Sequence, residues 1–178
     1  HYGYDDNIYN AMLDNYEQGM TVAQLDPLFA GLREEIVPLV KAVGESDQPD
    51  ISFMERGSFP EAGQREFSLR VAAAIGFDFD AGRMDTSTHP FCSGAGPRDV
   101  RFTTRYDESF PFGCLYGVMH ETGHGLYEQG LLAEHEGTPL GKAVSLGVHE
   151  SQSRLWENLV GRSREFWEHW LPDFCEIF

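Results

Sequence analysis

Two histidines four residues apart, His120 and His124, bracket a glutamate in the stretch His120-Glu121-Thr122-Gly123-His124. No other feature of the chain restricts its architecture as tightly. Four residues is close to one helical turn. On a helix both imidazoles therefore project from one face and can grip a single metal ion, with Glu121 beside it. The motif requires a rigid helix and a second element that brings at least one more ligand. The chain's own residue frequencies give roughly 0.03 accidental matches, so the motif outweighs the alternative of a surface helix with two solvated histidines.

The surrounding residues predict such a helix over Pro111 to Leu132, supported on one side by Leu115, Met119, Thr122 and Leu126. Gly117, Gly123 and Gly125 each cost about 1 kcal/mol inside a helix, which implies close approach of a neighbouring backbone or of substrate. A long helix is expected from Val144 to Leu171, interrupted by Pro172, with Val148, Leu155, Leu159, Phe166 and Trp170 on one stripe. Earlier in the chain, Ile8, Tyr9, Met12, Leu13 and Tyr16 predict a helix that Gly19 stops. Thr21 and Gln24 form a capping box that opens a second helix running to about Gly44. A loop is expected over 44–60, then a helix from Glu61 to Ile75 closed by Gly76. Phe77 to Asp80 alternates as a short strand does. Asp99 to Tyr106 alternates more clearly, with Val100, Phe102, Thr104 and Tyr106 on one face and Asp99, Arg101, Thr103 and Arg105 on the other. His89 to Pro97 is rich in small residues and is expected to be a loop. The coarse expectation is mainly helix with a small antiparallel sheet.

The 178 residues carry a net charge of −16, which disfavours nucleic acid and anionic membrane as partners. No apolar run approaches the roughly 20 residues that span a bilayer. Three scattered cysteines, Cys92, Cys114 and Cys175, argue for a reducing compartment and against a disulfide framework. Small buried apolar roles are expected for them.

A catalytic zinc takes three protein ligands and keeps one position open. His120 and His124 supply two. Glu150, on the next predicted helix within His149-Glu150-Ser151-Gln152, is the candidate third. Glu134, His135 and Glu136 in the intervening loop are weaker, because loops place ligands less rigidly. His149 points about 100° away from Glu150 on a helix and is not expected to be a ligand. In this arrangement zinc activates water and Glu121 acts as general base.

Four segments in order, His89-Pro90-Phe91, Asp99-Val100-Arg101-Phe102-Thr103, His120 to His124, and His149-Glu150-Ser151-Gln152, resemble the signatures of the carboxypeptidase Taq family of metallopeptidases. The resemblance covers essentially the whole chain. It implies a gluzincin fold, with long helices around a groove, and assigns His120, His124 and Glu150 as metal ligands and Glu121 as catalytic base. It implies zinc or cobalt as the metal and release of C-terminal residues from peptides with broad specificity. A cytoplasmic homodimer is implied as well. His89, Asp99, Arg101 and Thr103 would line the substrate side of the groove, although Arg101 is equally able simply to pair with Asp99. Family chains are more than twice this length, and two later signatures, one with an Ile-Arg pair and one ending in His-Trp, have no counterpart here. Residues 1–178 are therefore expected to be a single partial domain, the central portion of a larger metallocarboxypeptidase. A zinc endopeptidase or oligopeptidase of the same clan and a non-catalytic helical fragment are the competing readings.

Overall fold

The computed structural model describes Gly3 and residues 7–178. The elements run α1 (Asn10–Leu13), α2 (Val22–Glu45), α3 (Ser52–Arg56), α4 (Glu61–Ala74), β1 (Gly82–Thr86), β2 (Cys92–Gly96), β3 (Asp99–Thr104), α5 (Pro111–Gln129), α6 (Leu146–Arg154) and α7 (Arg164–Ile177). A π-helical stretch, Leu155–Val160, continues α6, and two short 3₁₀ turns lie between α5 and α6. Helix dominates, as the sequence predicts. Among the described residues no helix is long and apolar enough to cross a membrane.

The chain divides into two compact units. The first comprises residues 1–51 and 145–147. Its main element is α2, where the Gln24 side-chain oxygen accepts the Thr21 backbone N–H at 2.9 Å, the contact expected of the capping box. Pro27 and Pro38 lie within α2, and the whole helix is without a buried residue; Leu28, Phe29, Leu32, Ile36, Leu39 and Val43 are exposed. The predicted helix before it shortens to one turn, and Gly19 reverses the chain with a φ of 77°.

The second unit, 52–144 and 148–178, holds the core. One cluster joins Phe67 and Val71 of α4, Leu115 and Met119 of α5, and Phe166 and Phe174 of α7. The other joins Ala72, Phe77, Met84, Val100, Phe102, Cys114 and Val118. Helix α5 thus packs on helices with one side and on the sheet with another.

The sheet is small, as expected, but mixed rather than antiparallel throughout. Its order is β1-β3-β2, with β1 parallel and β2 antiparallel to β3. Alternation fixes which side chains face inward and says nothing about the direction of a neighbour. β1 and β2 replace the short strand expected at 77–80 and part of the loop expected at 89–97. β2 has the sequence Cys-Ser-Gly-Ala-Gly, so it carries almost no side-chain pattern and is held by backbone pairing to β3, with an irregularity between Gly94 and Gly96. Phe77 is instead a core residue packed edge-to-face on Phe102. The 44–60 loop contains α3, and the single long C-terminal helix is two helices. Gly161 and Arg162 break it, and Ser163 caps α7 by accepting the Phe166 N–H at 3.1 Å. Pro172 lies inside α7 and does not end it. Of the cysteines, Cys114 is buried, Cys92 half-buried and Cys175 exposed.

Candidate metal centre

His120, His124 and Glu128 recur every four residues along α5 and so share a face that neither core cluster occupies. The C-terminal end of helix α6 meets this part of α5 at backbone contact. A Cβ on Gly123 would stand 2.6 Å from Ser153 Cα and 2.7 Å from Gln152 O. This is the close approach that the glycine content of the helix predicts, and it brings Glu150 over the histidines. Gly125 serves a different neighbour, the Phe77 ring, and Gly117 has nothing within 4 Å.

One donor atom from each of His120, His124 and Glu150 lies within 4.8 Å of the other two. Glu150 Oε2 is 3.2 Å from His124 Nε2 and 3.7 Å from His120 Nε2. Ligands bonded at about 2.0–2.1 Å to a tetrahedral ion stand about 3.3 Å apart. The donor set and its spacing therefore fit a divalent cation of the zinc type.

The supporting contacts orient the same atoms. Glu157 Oε2 lies 2.9 Å from His120 Nδ1 and is itself held by Arg154 at 2.9 Å, while Arg162 reaches Glu157 Oε1 at 3.2 Å. Arg162 also lies over the Tyr116 ring, 4.1 Å from its centre. On Glu150, Arg154 Nε donates to Oε1 at 3.0 Å and Ser153 Oγ to Oε2 at 3.2 Å. His124 Nδ1 meets His149 Nδ1, whose ring Nε2 is 2.7 Å from Glu128 Oε1.

Electrostatics divide the three glutamates. Burial raises the pKa of Glu121; His120 opposes this, and Glu150 and Glu157 add to it. Burial also acts to raise Glu150, but His120, the hydrogen bonds from Ser153 and Arg154, and His124 outweigh it, and the net shift is downward. Glu157 is likewise lowered, against its burial, by His120, Arg162 and Arg154. Burial, with His149 and His120 nearby, lowers His124 to about 4, which keeps its ring neutral and its lone pair free for a cation.

The other sequence candidates fall elsewhere. Asp99 and Arg101 pair with each other on the exposed face of the sheet, at 2.7 and 2.9 Å. Thr103 is buried, unlike its outward-facing strand neighbours, because the loop ahead of β2 covers it: it shares a hydrogen bond with Ser87 and accepts from Phe91 N at 3.1 Å. It thereby ties to β3 the loop that carries the exposed His89. Among the described residues none of these four hydrogen-bonds to the His-His-Glu cluster. Glu134, His135 and Glu136 lie in or beside a 3₁₀ turn, where His135 faces Glu134 at 3.6 Å, outside the cluster. Sequence reading missed the contribution of Glu128, His149 and Glu157. Spacing carries the signal: Glu128 is four residues past His124, and Glu157 is seven past Glu150.

The family model described as "Carboxypeptidase Taq (M32) metallopeptidase" matches residues 1–178. The chain is 52% identical over 172 residues to thermostable carboxypeptidase 1 of Thermus thermophilus, covering 96% of this chain and 34% of that protein. It is 46% identical over 168 residues to carboxypeptidase 1 of Bacillus subtilis, covering 94% and 33%. The crystal structure of an M32 carboxypeptidase from Deinococcus radiodurans superposes with a TM-score of 0.91 at 47% identity, covering 95% of this chain and 34% of that one. The chain thus spans about a third of the length of the curated relatives it matches.

Proposed function

This chain belongs to the carboxypeptidase Taq (M32) metallopeptidase family, and from that membership we propose that the family-length protein is a zinc metallocarboxypeptidase releasing C-terminal residues from peptides with broad specificity. The observation that carries the reading is the convergence of two imidazole nitrogens and one carboxylate oxygen at the spacing of a tetrahedral cation. In this reading residues 1–178 are the metal-binding core of the larger enzyme, which works as a cytoplasmic homodimer on peptide and protein C-termini, with cobalt able to replace zinc.

His120 and His124 would hold the ion through Nε2 and Glu150 through Oε2. Glu157 accepts the His120 Nδ1 proton and so keeps Nε2 bare and turned toward Glu150. A divalent ion held there would supply Lewis-acid chemistry to the scissile carbonyl and to water. Glu121 takes a proton from the attacking water on a carboxylate oxygen and delivers it to the departing amine nitrogen. Its burial fits this task, since a carboxylate with a raised pKa is a better base than one free in water. His89 and the Asp99, Arg101 and Thr103 strand stand on the substrate side in this reading, Thr103 by holding the His89 loop.

Glu121→Gln in the full-length enzyme tests the assignment. It is expected to retain one zinc per chain and to lose at least about a hundredfold in hydrolysis of a peptide with a free C-terminus. Wild-type turnover by this variant would remove Glu121 from the mechanism. Equal cleavage of an amidated peptide by the wild type would make the enzyme an endopeptidase.

A further inference from the structure

We propose that His149 and Glu128 are positioning residues that together dictate which nitrogen of His124 carries its proton. The proposal rests on the metallocarboxypeptidase reading, in which His124 is a ligand.

A neutral imidazole has one N–H and one bare nitrogen. Ligation through Nε2 requires that nitrogen to be bare, so the His124 proton sits on Nδ1. His124 Nδ1 faces His149 Nδ1 at hydrogen-bond distance. The receiving nitrogen must offer a lone pair, which places the His149 proton on its Nε2. That atom is 2.7 Å from Glu128 Oε1. A carboxylate oxygen accepts, so the chain of donors ends there with one permitted direction. The opposite tautomer of His149 would set two N–H groups against each other and leave Glu128 facing a lone pair.

The relay is built from fixed parts. The side chains of His124, His149 and Glu128 retain only 15%, 17% and 29% of their exposure. The Tyr127 ring stands edge-on to His149 at 5.0 Å between centres and 88° between planes, which sets the imidazole plane. Glu128 lies on the same helix as His124, so that end cannot drift relative to the ligand it serves. His120 is treated differently: its Nδ1 goes directly to the carboxylate of Glu157. The two histidine ligands therefore have unequal supports, one a carboxylate and the other an imidazole backed by a carboxylate.

The test uses the full-length enzyme and Zn²⁺ as the probe, with affinity read by competition against a chelator. His149→Phe fills the space but offers no acceptor, and it is expected to bind Zn²⁺ about 10–100-fold more weakly than wild type. His149→Gln can turn its amide oxygen to His124 Nδ1 and is expected to recover part of that loss, which a role in packing alone does not explain. In the zinc-loaded wild type with ¹⁵N-labelled histidine, the His149 ring is expected to be the Nε2–H tautomer. Wild-type affinity in His149→Phe, or an Nδ1–H tautomer of His149 in the wild type, overturns the proposal and leaves the metalloenzyme reading standing. A wild-type protein that takes up no Zn²⁺ overturns both.

Discussion

Gly123→Ala tests how the site is assembled. The added methyl carbon would lie 2.6 Å from Ser153 Cα, 2.7 Å from Gln152 O and 3.0 Å from Ser153 N. All three are backbone atoms, so no side chain can swing aside. Ordinary contact needs about 3.5–4.0 Å, so α6 must retreat from α5 by about 1 Å. Glu150 sits one turn before Ser153 on α6 and moves with it. A metal site tolerates displacements of only about 0.5 Å, so the 3.2 Å approach of Glu150 to His124 opens beyond the range of a shared ion. The fold suffers less: crowding costs about 1–3 kcal/mol, and alanine returns about 1 kcal/mol of helix propensity. The variant is expected to fold with a modestly lower Tm while its Zn²⁺ affinity falls about 10–100-fold. Gly117→Ala is the control, since nothing lies within 4 Å of its Cβ position; it should raise Tm and leave Zn²⁺ binding alone. Chelator competition and thermal unfolding on both variants decide the matter. Undiminished zinc affinity in Gly123→Ala would refute the claim that backbone contact sets the ligand geometry.

Two further outcomes follow from the core. Thr122 is fully buried and its hydroxyl has no partner, so Thr122→Val should stabilise the protein by about 1 kcal/mol, and a fall in Tm would show that the hydroxyl is satisfied in solution. Burial, with Glu121 and Glu128 nearby, pushes the Cys92 thiol up to about 12, and Cys114 is raised as well, chiefly by burial. Thiolate is the reactive form, so at pH 8 native protein should label at the exposed Cys175 alone, with Cys92 gaining reactivity only as pH climbs toward 12; fast labelling of Cys92 at pH 8 would contradict this.

The helices that build the site were readable because their apolar residues recur at helical spacing and glycine or proline marks their ends. Glu61–Ala74 and Pro111–Gln129 fall within a few residues of expectation for that reason. β2 was not readable, since a strand of cysteine, serine, glycine and alanine is defined by its hydrogen bonds to β3. The break at Gly161–Ser163 hid within a continuous apolar stripe, because the residues beyond it resume the same period. The pairing of His120 with Glu157 also escaped notice: the seven-residue step from Glu150 puts Glu157 on the same side of the chain, but spacing alone does not name its partner on α5.

Helix α5 has no idle side where its chemistry is. One flank is committed to the aromatic layer, another to the sheet, and the remaining arc to the histidines that, with Glu150, could hold a cation. Helix α6 buries only Ser153 and is the more forgiving partner. Efforts to retune this centre, whether by selection or by engineering, should find their freedom at the exposed positions of α6, away from His149, Glu150 and Ser153.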